Sequence, residues 1–371
     1  MHQSRPTPPA SGAPHNAALD SNGYFYDKDT AMTTTNRQPT APSRPIIALS
    51  MGDPAGIGPE LCLTMLTDPT VLAACTPVLF GDATLLTQVA KATHIPIRHP
   101  VIPFKEWPGA CNHQACIVDM DCLAGQIITP GQGSAASGSA AHRCVVTAAT
   151  EAISRRVNAI VTAPLSKEAL HLAGVPHPGH TELLAALTGT RHYCMMLSSE
   201  PITTTLVTTH TALAKVPTLL TRDRILTVIR LTAAAMKTMR GSSPRLTVCG
   251  FNPHGGENGL LGTEERDIIA PAVSMAQSEG YLVEGPLPPD TAFLPAPLGR
   301  TDAYVCMYHD QGLIPFKMLA FETGVNITLG LPIIRTSPDH GTAFDLAWTG
   351  RANPSSMRAA ILCAIRLASC R

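Results

Sequence analysis

The chain has 371 residues, balances 27 Lys and Arg against 27 Asp and Glu, and is 44% apolar. That length suits one large domain or two ordinary ones, and a neutral chain without a basic stripe lacks the signature of a nucleic-acid binder. No run reaches the roughly eighteen uncharged apolar residues of a membrane span.

Residues 1–44 are rich in Pro, Ser, Thr and Asn without periodicity, and read as a disordered extension. Met32 within it is an alternative start, and no apolar segment resembles a secretory leader. From Pro45 the chain alternates strand and helix patterns. PIIALS is a strand that ends in the turn MGDPAGIGPE, and ELCLTML is a helix. TPVLFGD is a strand, ATLLTQVAKAT a helix, the segment 134–157 a helix, and NAIVTAPL a strand. PGHTELL follows, with a strand expected before it and a helix after it. TTTLVTTH, RLTVCGFN and AYVCMYHD are further strands, with TRDRILTVIRLTAAAMKTMR a helix between them. Such alternation predicts an α/β fold with a largely parallel sheet, and ligands at strand ends. Eleven scattered cysteines, an odd number with no CxxC pair, read as buried thiols in a reducing cytoplasm.

Three histidines follow apolar strands: His210, His254 in the loop NPHGGENG, and His309. Parallel packing of those strands would bring the imidazoles to one edge, where they could hold a divalent metal. Their wide separation in sequence leaves three unrelated histidines as the alternative. His180 and Thr181 stand at an expected helix start, which favours a bound anion or a plain cap. Lys317, Asn326 and Arg335 interrupt an apolar stretch. A phosphate or carboxylate would satisfy the two cations, as would salt bridges to Asp310, Glu322 or Asp339. Lys167 could face the same anion or simply be solvated. The sequence has no GxGxxG, no Walker loop, no HExxH and no GxSxG, so a Rossmann dinucleotide site, a P-loop, a zincin and an α/β-hydrolase are not expected.

Together MGDPAGIGPE, TAPLSKEAL, GHTELL, VTTH, NPHGGENG, GPLPPDTAF, YHDQG, VNITLGLPIIRTS and DHGTA resemble the 4-hydroxythreonine-4-phosphate dehydrogenase family of vitamin B6 (pyridoxine) biosynthesis, over about residues 46–369. The resemblance implies NAD- or NADP-dependent oxidation of 4-phosphooxy-L-threonine, then decarboxylation to 3-amino-2-oxopropyl phosphate. It implies a divalent metal (zinc, magnesium, manganese or cobalt) on His210, His254 and His309, and substrate contacts from His180, Thr181, Lys317, Asn326 and Arg335. His180 is the candidate general base. It also implies a homodimer with shared active sites and a two-domain α/β/α fold similar to isocitrate and isopropylmalate dehydrogenases. The domains would span 45–160 with 305–371 on the cofactor side, and 161–304 on the metal, substrate and dimer side, with the active site in the cleft between them. GDPAGIGPE and HGTAFD are similar to segments of those wider relatives, and the second implies cofactor contacts from His340, Gly341, Thr342, Ala343 and Asp345. APLSKEALHLAG, PGHTELLA and DHGTAFDLAWTG also resemble the D-threonate/D-erythronate 4-phosphate branch, which makes that oxidation the alternative. A cis-dihydrodiol dehydrogenase, a metal hydrolase and a non-catalytic sugar-phosphate binder are further alternatives.

Overall fold

The computed structural model describes residues 44–111 and 114–369, with the backbone of two short strands nearer the N-terminus. Residues 1–43 form a unit of their own, in which Ala17–Leu19 and Phe25–Asp27 pair antiparallel. Apart from these strands and Arg44, the expectation of a disordered extension falls outside the described residues.

Residues 44–371 form the second unit. Its strands are β1 Ile46–Ser50, β2 Thr76–Gly81, β3 Val101–Pro103, β4 Cys116–Asp119, β5 Ala159–Thr162 and β6 Cys194–Ser198. They continue with β7 Thr203–Leu206, β8 Arg245–Cys249, β9 Leu282–Leu287, β10 Ala303–Cys306, β11 Val325–Leu329 and β12 Arg335–Pro338. All twelve join one sheet, in the order β9-β8-β10-β7-β6-β11-β12-β5-β1-β2-β4-β3.

Two parallel blocks make up this sheet. One holds β3, β4, β2, β1, β5 and β12, and the other β7, β10, β8 and β9. Between them β12/β11, β11/β6 and β6/β7 are each antiparallel, so the blocks run in opposite directions. Strand β10, in which the expected boundary near residue 305 falls, lies in the second block. Strands β1, β2 and β5 of the first block are buried almost throughout and therefore read as largely apolar runs, as parallel strands covered on both faces do.

Helices cover both faces. The principal ones are α1 Gly58–Thr67, α2 Ala135–Ile153, α3 His180–Leu187, α4 Arg222–Arg240, α5 His309–Ala320 and α6 Ser355–Ala368. Local chemistry sets several boundaries. Ser134 and Ser137 form a reciprocal capping box at the start of α2, and Thr221 accepts from Arg224 N to open α4. Gly241, at φ 74°, closes α4 in the left-handed conformation that glycine tolerates. The stretch before PGHTELL is a short helix, Lys167–Leu172, followed by coil, rather than the expected strand. Gly174, Pro176 and Pro178 break any ladder there. The ten described cysteines are buried and free. No described helix is long and apolar enough to cross a membrane.

Candidate active site

Arg335 opens β12 and is 3% exposed. Its Nε and Nη2 donate to Thr162 Oγ1 at 3.1 and 2.9 Å, and Nη1 donates to Thr328 Oγ1 at 3.1 Å and to Asn326 Oδ1 at 3.5 Å. Every one of these acceptors is neutral, and among the described residues no carboxylate pairs with the guanidinium. Burial brings its pKa down to about 10, opposed by the charge of Glu182. A buried charge costs several kcal/mol unless a counter-charge meets it, roughly. The arrangement therefore calls for an anion from outside the protein.

His180 begins α3 beside this guanidinium. Its Nε2 is buried with no hydrogen-bond partner among the described residues. Burial, then the charge of Arg335, holds its pKa well below the usual histidine value, so the imidazole is neutral. The cap of α3 is Gly179, not Thr181, which leaves Thr181 and the first backbone N–H groups facing a cavity of about 470 Å³. Asn326, Lys167, Glu182, Asp339 and His210 also line that cavity. Lys317 stands 4.0 Å from Asp339, one of the partners weighed from the sequence. Burial raises the Asp339 pKa against the opposing charges of Lys317, His340 and His309. A larger cavity, about 680 Å³, opens elsewhere near Ser198 and Val325, but its Arg240 and Asp302 are already paired at 3.0 Å.

The three candidate metal ligands follow three neighbouring parallel strands, β7, β10 and β8. His210 lies four residues beyond Leu206, His309 is the first residue of α5, and His254 lies five residues beyond Cys249. The rings of His210 and His309 are 5.5 Å apart, a fit for two donors around one ion. Burial, then the charges of Lys167 and His309, lowers the His210 pKa and keeps that ring neutral, as a ligand must be. His254 is not gathered with them: among the described residues no three His, Cys, Asp or Glu side chains form a metal-holding group.

The loop carrying His254 has an unusual backbone. His254, Gly255, Gly256, Glu257 and Asn258 all have positive φ, between 45° and 81°. Each non-glycine residue held in the left-handed region costs about 1–3 kcal/mol. Buried polar groups tie this loop to its neighbours. Gln311 Nε2 donates to Gly250 O at 2.6 Å, while its Oε1 accepts from Met307 N at 2.7 Å. Thr208 Oγ1 donates to Met307 O at 2.7 Å. Phe251 and Tyr308 meet edge to face at 6.1 Å.

The segment expected to border a cofactor, 340–345, packs on the GDPAGIGPE turn. Ile57 N donates to Thr342 O at 3.0 Å, and Trp348 Nε1 donates to Pro54 O at 3.0 Å. A Cβ on Gly56 would lie 2.9 Å from Thr342 O, which is why this turn needs glycine. His340 and Gly341 line the 470 Å³ cavity, His340 Nε2 is buried without a partner among the described residues, Ala343 is left-handed at φ 41°, and Asp345 is exposed. Sequence reasoning missed Thr162, Thr328, Gln311 and Glu182. The only prior signal was their place within the quoted motifs TAPLSKEAL, VNITLGLPIIRTS, YHDQG and GHTELL.

The sequence profile described as pyridoxal phosphate biosynthetic protein PdxA matches residues 73–364. A 4-hydroxythreonine-4-phosphate dehydrogenase of Desulfosudis oleivorans is 46% identical over 332 residues, 88% of this chain and 97% of that protein. A D-threonate 4-phosphate dehydrogenase of Pectobacterium atrosepticum is 46% identical over 328 residues, 87% of this chain and 99% of that one. The crystal structure of a 4-hydroxythreonine-4-phosphate dehydrogenase from Klebsiella pneumoniae superimposes with a TM-score of 0.78 at 44% identity, covering 88% of this chain and 98% of its own. These matches show that the chain belongs to the PdxA family of pyridoxal phosphate biosynthetic proteins.

Proposed function

We propose that this protein is an NAD- or NADP-dependent dehydrogenase that oxidises the secondary alcohol of 4-phosphooxy-L-threonine, whose β-keto product then loses carbon dioxide. The observation that carries the reading is the buried guanidinium of Arg335, unpaired with any described carboxylate, beside the open Nε2 of His180. Arg335, Asn326 and the N–H groups of α3 would bind the substrate's phosphate or carboxylate, with Thr162 and Thr328 fixing the plane of the guanidinium. Lys317, held near Asp339, adds a second cation at the rim of the site. His180 would take a proton at Nε2. An anion bound beside it offsets the field of Arg335 and raises its proton affinity.

His210, His254 and His309 would hold a divalent metal, with His254 brought in from the next loop. A metal there supplies Lewis-acid stabilisation of charge developing on the substrate oxygen. Segment 340–345, packed on the 52–57 turn, would border the cofactor, whose nicotinamide supplies the hydride acceptor. The two blocks of the sheet would act as the two lobes of the cleft, the antiparallel strands between them forming its floor. The homodimer reading is supported by α5 and its C-cap, where Ile314, Met318 and the capping Phe321 form one stripe at spacings of four and three, exposed by 60, 80 and 70%. Ten buried, free cysteines support a reducing cytoplasm.

A second reading, D-threonate 4-phosphate oxidation, is favoured by an equal identity of 46% to a relative of that name. The test follows NAD(P)H formation with 4-phosphooxy-L-threonine, D-threonate 4-phosphate and D-erythronate 4-phosphate, each with and without a chelator. Chelator-sensitive turnover of the amino acid supports the first reading, and turnover of the sugar acids alone supports the second. Silence with all three overturns both.

A further inference from the structure

Lys167, an exposed residue, lines the same cavity of about 470 Å³ as Arg335 and His210. Its charge reaches His210, where it opposes protonation. Among the described residues no carboxylate pairs with its ammonium, whereas Lys317 already stands 4.0 Å from Asp339. The backbone that carries Lys167 is held on both sides. Asp53 N donates to Pro164 O at 2.9 Å, and Ser166 Oγ accepts from Ala169 N at 3.1 Å to open the helix Lys167–Leu172. Gly138 of α2 approaches so closely that a Cβ there would lie 2.0 Å from Ala169 O. Five residues ahead of Lys167 stands Thr162, whose hydroxyl grips Arg335. One stretch of chain therefore sets two cations of the cavity, Arg335 through that hydroxyl and Lys167 directly.

We propose that Lys167 binds the substrate's C1 carboxylate while Arg335, Asn326 and the start of α3 bind its phosphate, so that the site selects four-carbon chains with an acidic group at each end. The proposal rests on the reading of this cavity as the substrate site, and it holds for either substrate weighed above, since both carry these two ends. A phosphate presents several terminal oxygens and calls for several directed donors. The guanidinium and the N–H groups that open the eight-residue α3 supply them, together with the Asn326 amide. Among the described residues Asn326 Nδ2 otherwise meets only Met195 Sδ, a weak acceptor, at 3.2 Å. A carboxylate at the other end of a flexible chain asks for one cation, and an ammonium is a point charge on a stem that can follow it. Glu182 and Asp339 face the cavity too, and neither pairs with Lys167, which leaves its charge to a ligand.

The test measures binding to the full chain by calorimetry, without NAD or NADP so that no turnover intervenes. Its probes are D-erythronate 4-phosphate and D-erythritol 4-phosphate, which differ only in a carboxylate or a hydroxymethyl group at C1. The unaltered protein is expected to prefer the acid by about 10- to 100-fold, the scale of a hydrogen bond to a charged group. Lys167→Met and Lys167→Gln are expected to lose that preference and to bind both probes as the unaltered protein binds the alcohol. Lys167→Arg, which keeps the charge, is expected to retain part of the preference. Arg335→Met is expected to lose the alcohol as well as the acid. A full preference for the acid in whichever of Lys167→Met and Lys167→Gln folds, or equal binding of both probes by the unaltered protein, overturns this proposal alone. Undiminished binding in Arg335→Met, or binding of neither probe by the unaltered protein, overturns the reading of the cavity as the substrate site and this proposal with it.

Discussion

Around Arg335 the protein's own partners are already in place, whereas along the histidine edge two imidazoles are together and the third stands on a neighbouring loop. The first region is built on strands: Thr162, Thr328, Asn326 and Arg335 all belong to β5, β11 and β12, and their hydrogen bonds lock the guanidinium before any ligand arrives. The second is built on loops beyond strand ends, and its geometry depends on a few buried polar links. Rigid strands suit recognition of a fixed anion, while loops suit a centre that must open and close around the reacting atoms.

The sharpest way to break this comparison is Arg335→Met. Loss of the guanidinium should lower kcat/KM by about 10³-fold or more, the scale of losing a buried ionic partner. The melting temperature should hold or rise, because an uncompensated buried charge is removed. A large drop in stability would show that the guanidinium serves the fold rather than a ligand. Next in size is His309→Ala, expected to lower turnover by about 100-fold or more through lost Lewis-acid stabilisation. The two regions should separate in that variant: inorganic phosphate should still raise its melting temperature, and fail to do so in Arg335→Met.

A smaller effect concerns His180. Its pKa in the folded chain is depressed, so the stability tied to its neutral form is complete above the ordinary histidine value and is lost as pH falls towards the folded value. The melting temperature should therefore fall on acidification below about pH 6.5, and His180→Asn should flatten the decline. An unchanged slope in that variant would mean that other groups carry it. Smallest of all, removal of residues 1–43 should leave kcat and KM unchanged, since every residue proposed for the site lies between 162 and 345. A large loss of turnover would assign the N-terminal unit a part in catalysis.

Much of this was legible in the sequence. The apolar runs ending at Ser50, Gly81, Thr162 and Cys249 are strands because burial on both faces leaves no polar alternation. The three histidine-bearing strands are indeed parallel neighbours. Their ends were read too far: β7 stops at Leu206 and β10 at Cys306, so the histidines sit on the following loop or helix. Strands β11 and β12 were missed because Asn326 and Arg335 interrupt their apolar pattern, a local conflict that marks a functional site. The hydroxyls that grip Arg335 were also beyond reach, since Thr162 is 173 residues away and only pairing of β12 with β5 brings them together.

That pairing has a consequence for how the molecule is made. The first parallel block begins with the earliest strand of the sheet yet is finished by its last, β12, which slots between β5 and β11. During synthesis β5 must wait, with one edge unpaired, while the whole of the second block is translated. The cavity beside Arg335 cannot be complete in a nascent or truncated chain, because its guanidinium arrives with the closing strand. Phosphate-dependent protection from proteolysis would therefore appear only once the ribosome has released residues beyond Pro338, making ligand binding a report on completed folding.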